Sequence, residues 1–153
     1  MFQNCNSFNN GGSPSISGWT TTRVTNMESM FNGAPAFNQP IGNWDVSSVT
    51  TMQSLFGGSI SFNQNIGSWD VSSVTNMYAM FANTTVFNNG GSPSISGWTT
   101  SNVTNMIQMF NNAANFNQDL SDWCVILIPS APFAFDTGAT SWILPKPVWG
   151  APC

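Results

Sequence analysis

The sequence predicts a repeat solenoid in which each 25-residue coil carries one short parallel β-strand plus a short helical or 3-10 turn, with a Pro/Trp-rich C-terminal cap. Three observations predict it. Trp19, Trp44 and Trp69 lie 25 residues apart, Trp98 follows after 29, and Trp123 after another 25. The residues between these tryptophans match in register. Each unit also holds an apolar set (Val49, Met52, Leu55, Phe56, Phe62, Ile66 and Trp69 in the second) that a piece this short cannot bury alone, whereas stacked units bury it between neighbours.

The units read W-x-x-S/T-x-V-T-x-M-x-x-M/L-F-x5-F-N, then Ile or Leu, two residues and the next Trp. Four repeats (19–43, 44–68, 69–97 and 98–122) fill the block 19–123, residues 1–18 form an incomplete first repeat, and 124–153 form the cap. The chain thus begins inside a unit, either as a cut from a longer array or as an incomplete coil. The interval of 29 comes from four extra residues in the segment NNGGSPSISG before Trp98. The same insertion precedes Trp19, and residues 8–21 and 87–100 are identical over 14 positions.

Within a unit, Val49, Met52 and Leu55 with Phe56 recur at a spacing of three to four, which suits one short helical or 3-10 turn. The run Ile41, Trp44, Val46 reads as the strand. Asn32-Gly33, Pro40, Gly57-Gly58 and Asn89-Gly90 punctuate the turns. The nearest competing architecture is a plain β-solenoid made only of strands. Stacking predicts core ladders of Trp19, Trp44, Trp69, Trp98 and Trp123, of Met27, Met52, Met77 and Met106, and of Phe37, Phe62, Phe87 and Phe116. Asn9, Asn38, Asn63, Asn88 and Asn117, with Thr25, Thr50, Thr75 and Thr104, recur without exception. They are expected to satisfy backbone groups in hydrogen-bond ladders; simple solvent exposure is the alternative.

After Trp123 the repeat breaks. Val125-Ile126-Leu127-Ile128 is strand-like, and Pro129, Pro132, Pro145, Pro147 and Pro152 follow with Trp142 and Trp149. Proline removes backbone donors, so this segment is expected to cover the last open coil. Cys124 and Cys153 bracket it. A structural disulfide between them closes a loop with 28 residues inside, contributes about 3–4 kcal/mol and implies an oxidising compartment; two buried free thiols are the other reading. Cys5 is left over.

Composition narrows the chemistry. Charged residues are 5% of the chain, six acidic against Arg23 and Lys146, with no histidine and a net charge of −4. An ordinary domain is about 25% charged, so the surface is built from 20 Asn, 20 Ser and 14 Thr. Two cations make no phosphate-binding footprint, so no nucleic-acid partner is expected. Without histidine there is no Ser-His-Asp or Cys-His machinery and no imidazole metal site. No enzyme activity, cofactor or metal is expected. No apolar run approaches a membrane span, and the start Met1-Phe2-Gln3-Asn4 has no secretory-signal pattern.

Candidate partner-binding residues are few. Asp45 and Asp70 share a repeat position, and stacked carboxylates suit Ca²⁺; Thr20 and Thr99 stand there in the flanking units, which favours solvated or capping carboxylates. Gly90, Gly91, Ser92 and Pro93 lie in the insertion, which is expected to protrude, and protruding loops carry recognition. Slippage-derived turns are the plainer reading. Tyr78 stands where other units carry Glu28, Gln53 and Ile107, a candidate exposed contact.

The run Met30-Phe31…Phe37-Asn38-Gln39-Pro40-Ile41…Trp44-Asp45-Val46-Ser47…Val49-Thr50…Met52 resembles the bacterial surface-protein repeat of BspA-like proteins, and the likeness extends from residue 1 to about 124. The resemblance implies a leucine-rich-repeat-like right-handed solenoid displayed outside the cell, in lipoproteins, adhesins and some phage-borne proteins. Trp19 and Trp98 are followed by Thr-Thr where the family has Asp-Val. With the missing catalytic inventory, it predicts a non-enzymatic extracellular or cell-surface display and adhesion module that binds a protein or glycan partner on a cell surface. The alternative is a structural, fibre or decoration protein of a phage virion, bound to other virion proteins. A minor alternative is an ice-binding solenoid, for which only Thr20-Thr21-Thr22 and Thr99-Thr100 approach the threonine ranks required.

Overall fold

Alternate backbone N–H groups of each repeat have different partners, and this alternation builds the fold. In the computed structural model, which describes residues 1–153, the N–H groups of Met52, Ser54, Phe56 and Gly58 donate to Asn76, Tyr78, Met80 and Ala82 of the next repeat, at 2.7–3.0 Å. The intervening N–H groups of Leu55, Gly57 and Ser59 close turns onto Met52, Ser54 and Phe56, three residues back. The same alternation runs through 27–34, 77–84 and 108–113. It requires single residues of left-handed backbone: Ser29, Ser54, Ala79 and Gln108 have φ of 52°, 49°, 49° and 57°. A left-handed conformation costs a non-glycine residue roughly 1–2 kcal/mol. Each of these four donates its N–H to the following coil, which offsets the cost.

The expected coil of one strand plus one helical turn is not what forms, and the leucine-rich-repeat-like and strand-only readings fall with it. There is no strand and no α-helix. Asn26, Thr51, Asn76 and Asn105 make isolated parallel bridges and nothing longer. The reason lies in where the donors go. In the run read as a strand, the Trp44 N–H closes on the Ile41 carbonyl at 3.1 Å, and the Val49 N–H closes on Val46 at 2.8 Å. Those donors are spent inside the coil and cannot pair with a neighbouring strand. The helical turns also sit elsewhere. The 3-10 segments are Asn10–Gly12, Pro14–Gly18, Asn89–Gly91 and Pro93–Gly97, all within the two insertions rather than over Val49 to Phe56. There Ser13 and Ser92 accept the N–H groups of Ser15 and Ser94, and Pro14 and Pro93 occupy the first helical position, where a missing donor costs nothing.

Between coils, like packs on like. One ring column runs Phe2, Phe31, Phe56, Phe81, Phe110, with successive centroids 5.4–5.9 Å apart. A second runs Phe8, Phe37, Phe62, Phe87, Phe116 at 5.8–5.9 Å. Within a coil the two columns touch, as Phe56 and Phe62 do at 3.9 Å. Trp19 stacks on Trp44 at 6.0 Å, and Trp98 on Trp123 at 5.9 Å. The indole N–H groups of Trp44, Trp69, Trp98 and Trp123 donate back one coil, to Ile16, Ile41, Ile66 and Ile95. Met27, Met52, Met77 and Met106 are buried in the same core.

The segment after Trp123 continues the stack instead of lying across it. Gln108, Phe110 and Asn112 donate to Phe133, Phe135 and Thr137, the spacing used between the repeats. Trp142 meets Phe110 and Phe116 edge-on, at 74° and 81°, so the parallel ring columns give way to T-shaped contacts. Cys124 and Cys153 are joined in a disulfide with Cα atoms 5.3 Å apart, and Cys5 is free and exposed. A disulfide is compatible with an extracellular location. No helix is long and apolar enough to cross a membrane.

Candidate functional site

The repeating polar residues run along the coil edges as ladders. The side-chain oxygen of Asn9 accepts the Asn38 N–H, Asn38 accepts from Asn63, Asn63 from Asn88 and Asn88 from Asn117, all at 2.8–3.0 Å. Asn117 passes the pattern to the N–H groups of Ile143 and Leu144. Gln39, Gln64 and Gln118 add amide donors to Asn9, Asn38 and Asn88. The hydroxyls of Thr50, Thr75 and Thr104 donate to the threonine carbonyl one coil back, at 3.1–3.2 Å, while remaining exposed. These side chains therefore zip coil to coil, the threonines exposed, most of the asparagines half-buried, and Gln39 and Gln118 buried.

The second insertion folds against the preceding coils and shapes a shallow, uncharged groove of about 470 Å³, lined by Gly42, Asn43, Asn65, Gly67, Ser68, Ser92 and Ser94. It contains no charged residue and no apolar one. Ser94 donates to the Asn65 side-chain oxygen at 3.1 Å, Ser68 donates to the Gly42 carbonyl at 2.7 Å, and Ser92 donates to Ser94 at 2.9 Å. The close approach depends on glycine. A Cβ on Gly67 would collide with Ser94, and one on Gly42 with the Asn65 carbonyl. Amides and hydroxyls in such a groove can exchange neutral hydrogen bonds with hydroxyl-bearing or peptide groups; the groove has no means of selecting for charge.

Of the residues singled out from sequence, Ser92 lines this groove, and Gly90 sits beside it with its N–H on the Asn63 side-chain oxygen at 3.0 Å. Gly91 and Pro93 do not line it. Asp45 and Asp70 lie elsewhere and act locally. Asp45 accepts the Ser47 hydroxyl at 2.6 Å and its N–H at 3.0 Å, and Asp70 accepts the Ser72 N–H at 3.0 Å. The serine hydroxyl first, and the serine N–H second, hold each carboxyl below the ordinary 3.8; Asp119 is lowered in the same way by Ser121. No cluster of three or more Cys, Asp or Glu side chains is arranged to hold a metal ion. Tyr78 is half-buried, and its hydroxyl donates to the Gln108 side chain at 2.8 Å. The groove residues that sequence reasoning missed are Gly42, Asn43, Asn65, Gly67 and Ser68. Their one signal is the small or polar pair that precedes each Trp, as Gly42-Asn43 and Gly67-Ser68 do.

A stack of turn-built repeats with polar ladders on its edges defines a repeat protein. The chain belongs to the family described as "Mycoplasma protein of unknown function, DUF285", which it matches over residues 1–123 and again over 92–142. The second match extends beyond Trp123, in keeping with the coil that forms there. No curated protein and no solved structure matches the chain.

Proposed function

We propose that this chain is a non-enzymatic display and adhesion module that works outside the cell, binding a protein or glycan through its repetitive polar edge. The observation that carries the reading is the uncharged groove of Asn43, Asn65, Ser68, Ser92 and Ser94, framed by coils whose edges repeat the same amides and hydroxyls. Neutral hydrogen-bonding groups suit sugar hydroxyls and peptide backbone. Repetition along the stack lets weak contacts add through avidity. The likeness of the repeats to those of bacterial surface proteins supports the reading, and so does the disulfide, which an oxidising environment preserves. The test is binding of the purified chain to arrayed glycans and to intact cells, compared with a variant lacking residues 44–68 and with Asn65→Ala/Ser94→Ala. The proposal expects binding that weakens in both variants. Adhesion that persists undiminished after the deletion overturns it.

A further inference from the structure

The two insertions are the same sequence in different surroundings, and the difference falls on a reactive dipeptide. Asn10-Gly11 and Asn89-Gly90 occupy equivalent places in the identical stretches 8–21 and 87–100. Asn followed by Gly is the dipeptide in which a backbone nitrogen most readily reaches the side-chain amide carbon, because glycine has no side chain to obstruct the approach. At the second copy both reacting groups are held. The Asn89 side-chain oxygen accepts the Ile66 N–H at 2.9 Å, Asn89 is fully buried, and the Gly90 N–H donates to Asn63 at 3.0 Å. Asn65 and Asn63 backbone atoms lie within 3.5 Å of where a Gly90 Cβ would be. At the first copy the Asn10 side-chain oxygen and the Gly11 N–H have no partner, and the space around Gly11 is open to solvent. A third such dipeptide, Asn32-Gly33, is held by the Gly33 N–H donating to the Gly57 carbonyl at 2.7 Å.

We infer that Asn10 is a site of spontaneous deamidation, selected by structure from three candidates in the sequence. The Gly11 nitrogen, giving its proton to water, bonds to Cγ of Asn10; the Cγ–Nδ2 bond breaks and ammonia leaves, closing a succinimide. Water then opens the ring at either carbonyl, yielding aspartate or isoaspartate at position 10. The product loses two donors that the amide now supplies to its own loop, Nδ2 to the Ser13 carbonyl at 2.7 Å and to the Ser15 hydroxyl at 3.2 Å. It sets a carboxylate against that carbonyl and loosens the first insertion, while the second keeps its shape.

The test is peptide mapping of the intact chain after incubation at mildly alkaline pH. Cleavage after Arg23 separates Asn10 from Asn32 and Asn89, which the identical local sequences otherwise leave hard to tell apart. The Nδ2 bonds within the loop are alike at the two copies, so the difference lies in the two further hydrogen bonds that hold the Asn89 side-chain oxygen and the Gly90 N–H. With those to break at the second copy alone, conversion at Asn10 is expected to be about ten- to a hundredfold faster in the folded chain. In denaturant the two rates should converge, since their local sequences are the same. Asn63→Ala, which frees the Gly90 N–H, should raise the Asn89 rate, and Gly11→Ala should slow Asn10 without touching Asn89. Equal native rates at residues 10 and 89, or a ratio that survives denaturation unchanged, would overturn the assignment.

Discussion

The repeats and the segment after Trp123 bury aromatic rings in opposite ways. Through the repeats, Phe31, Phe56 and Phe81 lie face to face within 5–12° of parallel, each ring identical to the one it covers. Beyond Trp123, Phe135 meets Phe110 at 84° and Trp149 at 82°, and large apolar side chains face water: Phe133 is 77% exposed and Ile143 86%. The backbone register between coils is the same in both regions. Coil-to-coil hydrogen bonding therefore does not require identical side chains, but parallel columns of rings do. Repetition of sequence determines how the core packs, and the alternating turns determine how the chain climbs.

Substitutions should separate these two contributions. The largest effect belongs to Phe56→Ala, which removes a fully buried ring touching Phe31, Phe62 and Phe81. A loss of about 3–5 kcal/mol is expected in urea unfolding. Phe135→Ala should cost less, because Phe135 has a ring of the phenylalanine column on one side alone, Phe110, where Phe56 lies between Phe31 and Phe81; an equal loss would erase the contrast between the regions. Next comes the disulfide. Cys124→Ser/Cys153→Ser should lower stability by about 2–4 kcal/mol, and limited proteolysis should show cleavage after residue 128 before any cut in 19–123. Gly67→Ala comes third, at about 1–3 kcal/mol, because its Cβ displaces Ser94. Asn63→Ala falls in the same range, since it strands the N–H groups of Asn88 and Gly90. The smallest effect is on acid stability. Asp45, Asp70 and Asp119 have folded pKa values below 3.8, so what they contribute is complete above that value and is lost as pH falls through the lowered ones. Thermal melts should therefore shift down on acidification below about pH 4, and Asp45→Asn/Asp70→Asn/Asp119→Asn should flatten that slope.

How much of this was legible in the sequence depends on which kind of signal carried it. Column membership is written in the spacing of Trp19, Trp44, Phe37 and Phe62, because a coil that repeats its length returns each side chain to the same place. The coil's internal geometry is not so written. Ser29, Ser54, Ala79 and Gln108 adopt left-handed backbone, yet nothing in their identity marks it; four residues further on a second left-handed position is marked by glycine at Gly33 and Gly58, but is held by Asn83 and Asn112 in the next two coils. Without those reversals Ile41, Trp44 and Val46 read as a strand, and the period of three to four at Val49 and Met52 reads as a helical turn. The groove was hidden for a different reason. Ser94 faces Gly67 only once the insertion is laid against the preceding coil, a contact 27 residues apart that no local pattern shows. The two insertions make the same point from the other side: identical residues, and protection at Asn89 that Asn10 lacks.

The central claim is that successive coils are stacked in register and tied by side chains reaching back one coil. Hydrogen exchange of the indole N–H groups, resolved by nuclear magnetic resonance, tests it most directly. Trp44, Trp69, Trp98 and Trp123 each donate to an isoleucine carbonyl of the preceding coil and are at most 4% exposed, whereas Trp19 is 40% exposed. Four slowly exchanging indoles and a fast Trp19 are the predicted result. Fast exchange at all five would contradict the stack.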